Sequence, residues 1–499
     1  MVFIVIFLIK YVENGRRFIK AVFSGGRKMN YKIAFIADIH HYSETLGNTG
    51  RAYELREGSD QKCLKETGAI IRDVFNGFIS DDTDCVCIAG DITNDGEKVS
   101  HDEIYAEFSR LSEKKKLYLI TSTHDWCSDH NPRRFEGNEI FNDVPTLSAE
   151  QLTQYYSSFG EKDCISSFAT PIGLVSRCFQ VCPGLRLLAV HDDCDAKGGK
   201  SGYSEEHLKW MGEQLDDARE NGCKVIAMEH HLLLHPFCRL INSGQSIGEN
   251  FETAEFLADK GLRLMFVGHS HMQRTTEFIS KNGNKITQIN LGSLTGYPSP
   301  VTYLTFDGEN ADIKVKFTEK FTYNGEELDF SYFKAHTLGV LFNLLEAGKA
   351  DKKDFYERLR ANGIKIPSYD LLYPIIRFAC KKLLKARVGG AGRLINFFTF
   401  GKGVDKKALK EIKNKKLLDL VSDVFLSIFD GSYAVSGASE AERKTVCSVG
   451  TLPSRIVKKL PLKKEKKEKI LRTTNQIEIL TKELMYPSLP SNLETVIEL

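Results

Sequence analysis

The sequence predicts an α/β fold over residues 29–325, followed by a mostly helical region. Short apolar runs, typical of strands buried on both faces, alternate with amphipathic helical stretches. The predicted strands are Ile33–Ala37, Cys85–Ala89, Leu117–Thr121, Leu187–Val190, Val225–Met228 and Leu264–Val267. The predicted helices between them are Leu64–Phe78, Asp102–Leu111 and Ser204–Arg219, the last capped by its first residue.

After Gly292 the pattern changes to the alternating stretches TYLTFDG and ADIKVKF, which predict two strands joined by a turn. From about Asp329 the chain becomes helical and rich in lysine. Within this region KKLPLKKEKKEK predicts a solvated or disordered linker.

Charge divides the chain into two parts. Residues 351–499 contain 30 Lys and Arg against 17 Asp and Glu, a net charge of +13, and residues 1–350 carry about −11. The acidic part suits a protein that collects cations. The basic part suits either contact with an anionic surface or partner, or a set of solvated helices.

The N-terminal stretch MVFIVIFLIK contains an apolar run too short to span a bilayer, without the features of a signal peptide. We expect residues 1–28 to be an extension or a misassigned start, with a weak membrane anchor as the alternative and no transmembrane segment. The 12 cysteines show no paired metal-site spacing, which predicts reduced thiols and a cytoplasmic location.

Carboxylates and imidazoles follow five of the predicted strands, and six of the 13 histidines lie at these positions. In α/β folds the residues just past the strand ends form the default functional site. The residues are Asp38, His40, Asp91, His124, Asp125, His230, His231, His269 and His271. Such mixed ligands suit Mn, Fe or Zn. They exceed what one ion needs, so we expect two divalent ions that share a carboxylate and clamp a phosphoryl group.

These motifs occur in a fixed order: D-x-H, G-D, a T-H-D element, an H element and G-H-x-H. Over residues 33–271 they resemble the calcineurin-like metallophosphoesterase superfamily. The segments GEKVSHDE and NPRRFEGNEIF resemble its bacterial branch similar to cyclic-nucleotide phosphodiesterases. The resemblance implies a layered metallophosphoesterase-type β-sandwich flanked by helices as the catalytic domain, residues 29–325. The basic region 326–499 would be mainly α-helical.

The resemblance also implies the roles of the site residues. One ion would be held by Asp38, His40 and His271, the other by His230 and His269, with Asp91 bridging both. His231 is an alternative to His230. His124 would contact the substrate phosphate and either stabilise the transition state or protonate the leaving oxygen. Asp125 would orient His124 by accepting its second N–H. Asp125 is alternatively a helix N-cap.

Thr123 departs from the family pattern, which has a metal-binding Asn at this position. Three interpretations follow: the second ion is bound more weakly with water completing its shell, Thr123 binds it directly, or the site is degraded. We also expect His41, Asn94 and His231 to contact the substrate. Asn94 is equally consistent with a turn.

The implied function is hydrolysis of a small phosphodiester, with a cyclic nucleotide as one candidate, by a hydroxide that bridges the two ions. The alternatives are a phosphomonoesterase or nuclease of the same superfamily, or a catalytically impaired scaffold. The acidic charge of the front part counts against nucleic acid as substrate. The basic part is compatible with peripheral contact to an anionic surface. The sequence does not determine the substrate, the metals or the oligomeric state.

Overall fold

The computed structural model describes residues 30–192, 201–242, 244–361, 373–489 and 491–499. The predicted extension at residues 1–28 lies outside the described residues. The strands are β1 (Tyr31–Ile36), β2 (Cys85–Ala89), β3 (Lys116–Ile120), β4 (Arg134–Glu136), β5 (Glu139–Phe141), β6 (Cys164–Ala169), β7 (Val175–Cys182), β8 (Leu185–Ala189), β9 (Lys224–Met228), β10 (Leu264–Val267), β11 (Arg274–Ile279), β12 (Lys285–Asn290), β13 (Pro300–Phe306), β14 (Asn310–Phe317), β15 (Lys320–Tyr323), β16 (Glu326–Asp329) and β17 (Glu494–Glu498).

The helices are α1 (Arg51–Glu57), α2 (Thr67–Ser80), α3 (Lys98–Ser112), α4 (Ala149–Tyr155), α5 (Glu205–Glu220), α6 (Arg239–Asn242), α7 (Asn250–Asp259), α8 (Phe330–Ala350), α9 (Lys352–Ala361), α10 (Tyr373–Leu383), α11 (Val388–Phe398), α12 (Lys406–Glu411), α13 (Leu417–Phe429), α14 (Glu440–Lys459) and α15 (Lys464–Met485). None of the described helices combines the length and apolar composition needed to cross a bilayer.

Two sheets form the centre of the fold. The first has six strands in the order β17-β14-β13-β1-β2-β3, and the second has seven in the order β11-β12-β10-β9-β8-β7-β6. Strands β1, β2 and β3 run parallel, as do β8, β9, β10 and β12. The parallel strands of each sheet therefore end at a common edge, where the loops that follow them gather.

The inner faces of the two sheets pack against each other. Phe35 of β1 stacks on Phe266 of β10 with ring centroids 3.7 Å apart, and one buried apolar cluster contains residues of both sheets. Helices α2 and α3 cover the outer face of the first sheet, and α5 and α7 cover that of the second. This layered β-sandwich flanked by helices, with helices following it, confirms the predicted fold class.

The predicted parallel strands are confirmed at β1, β2, β3, β8, β9 and β10, and the two alternating stretches form β13 and β14. Ser204 caps α5 as predicted, because its hydroxyl accepts a hydrogen bond from the His207 N–H at 3.1 Å. The prediction that KKLPLKKEKKEK is disordered is wrong from Lys464 onward, where α15 begins. Its charged side chains lie on the exposed face of α15, while Leu484 and Met485 at the other end of the helix are buried.

The helical region contacts the segment that follows the G-H-x-H motif. Met272 packs in one apolar cluster with Val435, Leu484 and Met485. The N–H of the next residue, Gln273, donates to the carbonyl of Phe429 at 2.8 Å. Strand β17 also pairs with β14 of the first sheet. The division of the chain into domains at residue 325 stays a prediction.

The next two residues, Arg274 and Thr275, also contact the C-terminal part of the chain. The guanidinium of Arg274 donates to the Glu483 carboxylate at 2.8 Å, and the Thr275 N–H donates to the side chain of Asn492 at 3.2 Å. Each of the residues 272–275 thus contacts a residue of the described C-terminal part of the chain.

Candidate metal centre

The predicted metal-site residues follow the carboxyl ends of five parallel strands. These strands belong to both sheets, and the packing of the sheets brings their ends together. The first sheet contributes residues after β1, β2 and β3, and the second contributes residues after β9 and β10: Asp38, His40, Asp91, His124, His230, His269 and His271.

The first group of ligand atoms consists of Asp38, His40 and His271, with one ligand atom of each within 4.8 Å of the others. The Nε2 atoms of His40 and His271 lie 3.0 Å apart, and Oδ1 of Asp38 lies 3.4 Å from Nε2 of His271. Two ring nitrogens and a carboxylate oxygen that converge in this way form a cation-binding arrangement.

The second group consists of Asp91, His230 and His269, which also converge within 4.8 Å. Oδ2 of Asp91 lies 3.1 Å from Nε2 of His230. Asp91 belongs to a further group with His40 and His124, so that its carboxylate lies between the two halves of the centre. The geometry is that of two adjacent cation sites with a shared carboxylate.

An unsatisfied buried atom tests whether a metal fits this centre. Oδ2 of Asp38 is buried and has no hydrogen-bond partner among the described residues. Leaving such a group unsatisfied costs roughly 1–3 kcal/mol, and more when it is charged. A bound cation relieves that cost, and oxygen and nitrogen donors are those that Mn, Fe and Zn accept. The residues present therefore fit divalent metal ions.

The backbone is held in an uncommon conformation at the ligands. Asp38, His40, Asp91, His269 and His271 all have positive φ, between 46° and 64°. Side-chain-bearing residues adopt this region rarely, and such strain clusters at functional sites, where the surroundings enforce it.

Glycines make room for the ligands. A Cβ on Gly90 would lie 2.6 Å from Nδ1 of His230, and a Cβ on Gly268 would lie 2.9 Å from Oδ2 of Asp38. Any side chain at either position would displace a ligand. This close approach explains in physical terms why glycine occurs in the G-D and G-H-x-H motifs.

The protonation states match those of metal ligands. Burial raises the pKa of the Asp38 and Asp91 carboxyls, but the surrounding imidazoles outweigh it and hold both values below their usual range. Burial, with Lys62 nearby, lowers the pKa of His40 to about 3, and burial with His231 lowers that of His269. At neutral pH these carboxylates are charged and these imidazoles neutral, as metal binding requires.

His230 is the exception. Burial lowers the pKa of His230, but the Asp91 carboxylate more than offsets this and raises it well above its usual value. An ion bound by Nε2 of His230 must therefore displace a proton. Its other nitrogen, Nδ1, contacts the Ala89 carbonyl at 2.7 Å, which orients the ring towards Asp91.

His124 is oriented by Asn94 rather than by Asp125. Nδ1 of His124 contacts the backbone carbonyl oxygen of Asn94, so Nε2 is the ring nitrogen that remains for other contacts. The Asp125 carboxylate instead accepts hydrogen bonds from the N–H of Thr93 and the N–H of Ser122, both at 2.8 Å. The expected orientation of His124 by Asp125 is therefore wrong. The Asp125 carboxylate instead bonds to the backbone of the loops after β2 and β3.

His41 points away from the centre, contrary to its expected substrate contact. Its Nε2 lies 2.8 Å from Oε2 of Glu103, and Nδ1 lies 3.3 Å from the Thr67 hydroxyl. The ring lines a separate cavity of about 520 Å³ beside Lys65 and Tyr323. The neighbouring His40 lies in the ligand group instead, and its backbone has a φ of 46° in the turn after β1.

The other predicted substrate contacts lie beside the centre. Asn94 supplies its carbonyl to His124, while its side-chain oxygen accepts a hydrogen bond from Arg56 at 3.4 Å. Nδ1 of His231 lies 3.0 Å from Asp192, and its ring centroid is 4.4 Å from that of His269. The geometry favours His230 over His231 as ligand, since His230 belongs to a ligand group and faces Asp91.

The structure reveals a set of charged and polar residues near the centre that no sequence motif signals. Oε1 of Gln61 lies 3.2 Å from Nδ1 of His271 and fixes that ring. Beside it, the buried Lys62 lies 3.5 Å from Asp60, which also pairs with Arg56. Arg133 makes two hydrogen bonds to Asp95, at 2.6 and 2.7 Å. Only the fold brings these distant residues together.

Thr123 lies in the turn between β3 and His124, and its carbonyl accepts a hydrogen bond from the Ser128 N–H at 2.9 Å. The turn thus presents residue 123 next to the residues of the centre. Binding of a metal by the Thr123 hydroxyl stays a prediction.

Comparisons with known proteins give a family match for about half of the chain. A sequence model of the calcineurin-like phosphoesterase family matches residues 31–273. A comparison with curated proteins gave no match.

Several solved structures share a low level of similarity with the chain. A dimetal phosphatase from Danio rerio is 14% identical, with a TM-score of 0.39, over 60% of this chain and 98% of that one. A purple acid phosphatase from yellow lupin (Lupinus luteus) seeds is 13% identical, with a TM-score of 0.37, over 61% and 53%. A 5′-nucleotidase from Candida albicans is 13% identical, with a TM-score of 0.26, over 73% and 60%. TM-scores this low support no conclusion about substrate or mechanism.

Proposed function

Because a sequence model of the calcineurin-like phosphoesterase family matches residues 31–273, we propose that this protein is a metal-dependent phosphoesterase that hydrolyses a phosphodiester. The observation that carries the proposal is the pair of ligand groups that share Asp91. In this proposal Asp38, His40 and His271 hold one ion, His230 and His269 hold the other together with Thr123, and Asp91 contacts both. Two divalent ions, when bound, polarise a phosphoryl group and supply an activated water.

His124 is the residue proposed to act on the substrate. Its Nδ1 is held by the Asn94 carbonyl, so that Nε2 can contact the phosphate and protonate the leaving oxygen. Asp125 does not touch the His124 ring in this scheme. It is a positioning residue that fixes the loop carrying His124 through Thr93 and Ser122.

The choice of a diester over a monoester rests on the segments GEKVSHDE and NPRRFEGNEIF, which resemble the branch similar to cyclic-nucleotide phosphodiesterases. The cations Arg56, Lys62 and Arg133 are each paired with Asp60 or Asp95, and their charges do not distinguish the two ester types. A cyclic nucleotide is one diester of this class.

A direct assay tests the proposal. The purified protein is freed of metal with a chelator, reloaded with Mn²⁺, Fe²⁺ or Zn²⁺, and given bis-p-nitrophenyl phosphate or p-nitrophenyl phosphate. We expect turnover of the diester to exceed that of the monoester and to depend on added metal. Metal content is measured in parallel by mass spectrometry.

Two variants separate the metal centre from general effects. Asp91→Asn removes the shared charge and should abolish turnover and lower the metal content. Asp259→Asn, at the exposed end of α7, should change neither the turnover nor the metal content. A folded protein that binds metal but turns over neither ester would show that it is a scaffold instead. Faster turnover of the monoester would identify a phosphomonoesterase.

A further inference from the structure

Three large apolar side chains project into solvent at the end of α11. The exposed fractions of Phe397, Phe398 and Phe400 are 76%, 71% and 93%, and that of Leu394 is 55%. Single exposed apolar residues are common, but four within seven positions form a patch of the kind that marks an interaction surface. We call these four residues the aromatic tip.

The apolar residues on the other side of α11 are packed. Val388 lies in a buried cluster with Val404 and Leu409, and Ile395 packs against it. Gly392 brings α11 so close to α12 that a Cβ would lie 2.3 Å from Leu409. The helix therefore already has a buried face, and the aromatic tip is not a core face that has failed to pack.

The loop after α11 is rigidly built. The side-chain oxygen of Asn396 accepts hydrogen bonds from the N–H groups of Gly403 and Val404, at 3.0 and 2.8 Å, and its NH₂ donates to the Val404 carbonyl. Arg455 of α14 donates to the Lys402 carbonyl at 2.9 Å. These contacts fix the loop that presents Phe400, so its exposure is enforced by the fold.

A dense positive charge surrounds the aromatic tip. Residues 381–416 contain 12 Lys and Arg against two Asp and Glu, a net charge of +10. Arg393, Lys402, Lys406, Lys407 and Lys410 are exposed. The Lys406 ammonium lies beside Gly401, the residue after Phe400, at 3.0 Å from the position that a Cβ on Gly401 would take.

From this combination we propose that α11, the loop 399–405 and α12 dock on an anionic lipid bilayer. Exposed Phe and Leu side chains enter the boundary between headgroups and acyl chains, and neighbouring lysines contact anionic headgroups. A nucleic acid would also meet positive charge and aromatic faces. Lipid is favoured because the patch includes Leu394, which offers no face on which a base can stack, and because the side chains contain no hydrogen-bonding group.

Vesicle sedimentation of the full-length protein tests this surface. Vesicles of phosphatidylcholine alone are compared with vesicles containing about 30% phosphatidylglycerol. We expect the protein to partition onto the anionic vesicles, with binding that weakens as salt is raised. The triple variant Phe397→Ser/Phe398→Ser/Phe400→Ser should bind these vesicles more weakly, by about tenfold or more.

Charge and position are tested by two further variants. Lys402→Glu/Lys406→Glu/Lys407→Glu should reduce binding to anionic vesicles about tenfold or more, and the glutamates at 406 and 407 lie at the start of α12, where they are compatible with the helix. Phe251→Ser/Ile279→Ser removes two apolar side chains that are 47% and 64% exposed elsewhere, and binding should be unchanged. The N-terminal apolar run is present in every variant, so differences among them report on the aromatic tip.

Three outcomes would overturn the proposal. The first is that the triple Phe variant binds vesicles as tightly as the wild type. The second is equal binding to neutral and anionic vesicles, unaffected by charge reversal. The third is that the protein binds single-stranded RNA in a gel-shift assay and does not bind vesicles. The proposal does not depend on the proposed catalytic activity.

Discussion

Thr123 is the residue at which this site departs from the family that it resembles. A threonine hydroxyl is shorter than the side-chain amide of asparagine and is a weaker donor to a divalent ion. All other proposed ligands lie in the ligand groups around Asp91. The consequence for chemistry is therefore confined to the ion proposed at His230 and His269.

We predict that Thr123→Asn strengthens binding of that ion. The amide oxygen reaches further from the turn, and the metal concentration for half-maximal turnover should fall by roughly tenfold, within the range seen when metal surroundings are changed. The measurement is a titration of the metal-free protein with Mn²⁺, followed by turnover and by calorimetry.

The control is Thr473→Asn, on the exposed face of α15, which should leave the titration unchanged. If Thr123→Asn leaves the metal requirement unchanged or raises it, Thr123 is not a weakened ligand position.

At this scale the sequence predicts which residues meet better than it predicts which way each side chain points. The ligands converge because they follow parallel strands, a property of the strand pattern. The direction of His41 and the contacts of Asp125 depend instead on the turns after β1 and β3. His40 has φ of 46° there, and nothing in the residue types requires this conformation.

Among the elements, the end of α13 forms a buried polar contact with the loop before β13. Tyr297 donates its hydroxyl hydrogen to Oδ2 of Asp430 at 2.8 Å, and the N–H groups of Tyr433 and Ala434 donate to the same carboxylate. Burial raises the pKa of Asp430 to about 7, although these hydrogen bonds oppose the shift. The folded protein therefore keeps this carboxyl protonated where the unfolded chain ionises it.

This shift predicts a pH-dependent stability. The unfolded carboxyl ionises near 3.8 and the folded one near 7, so the stability that Asp430 contributes is lost as the pH rises between these values. One pKa unit corresponds to about 1.4 kcal/mol. The quantity to follow is the free energy of unfolding of the wild type minus that of Asp430→Asn. We expect this difference to fall by roughly 2–3 kcal/mol from about pH 5 to about pH 7.

Denaturant titrations at several pH values measure this difference. Subtracting the variant removes the contribution of the metal ligands, which titrate in both proteins. Asp419→Asn, at an exposed position on the same helix, is the control for replacing a carboxyl by an amide on α13. A constant difference for Asp430→Asn would mean that Asp430 is ionised in the folded protein at about pH 5.

Elements differ in how clearly the sequence shows them. The parallel strands are continuous apolar runs because both of their faces are buried, and the sequence predicts them. Antiparallel strands such as β6 and β11 alternate between exposed and buried residues, and their runs are too polar to stand out. The charge run that forms the start of α15 is misleading because its lysines and glutamates are also good helix formers.

For the whole molecule, the junction between the helical region and residues 272–275 is the main connection to the site. We predict that Leu484→Ala, which empties part of the cluster around Met272, lowers the free energy of unfolding by about 2–5 kcal/mol. The metal requirement should rise as well, because the loosened segment begins one residue after His271.

Leu460→Ala is the matched control, since this leucine is 41% exposed and its truncation should cost less than about 0.5 kcal/mol. Unfolding is followed by denaturant titration and the metal requirement by turnover. A less stable Leu484→Ala protein with an unchanged metal requirement would show that the junction does not position the ligands.

The sequence predicts the helical character of residues 330–485 but not their attachment. Contacts such as Arg274 with Glu483 join residues more than 200 positions apart, and neither residue carries a motif. Strand β17 is likewise too short and too polar to be recognised without its partner β14.

The short segment from His271 to Thr275 has one consequence for energetics. It carries a proposed metal ligand at one end and contacts of the helical region over the rest. Binding at the two places is then linked through a single free energy, and the linkage is reciprocal. An ion held by His271 would stabilise the packing of α13 and α15, and a molecule that tightens or loosens those helices would change the affinity for that ion by the same factor.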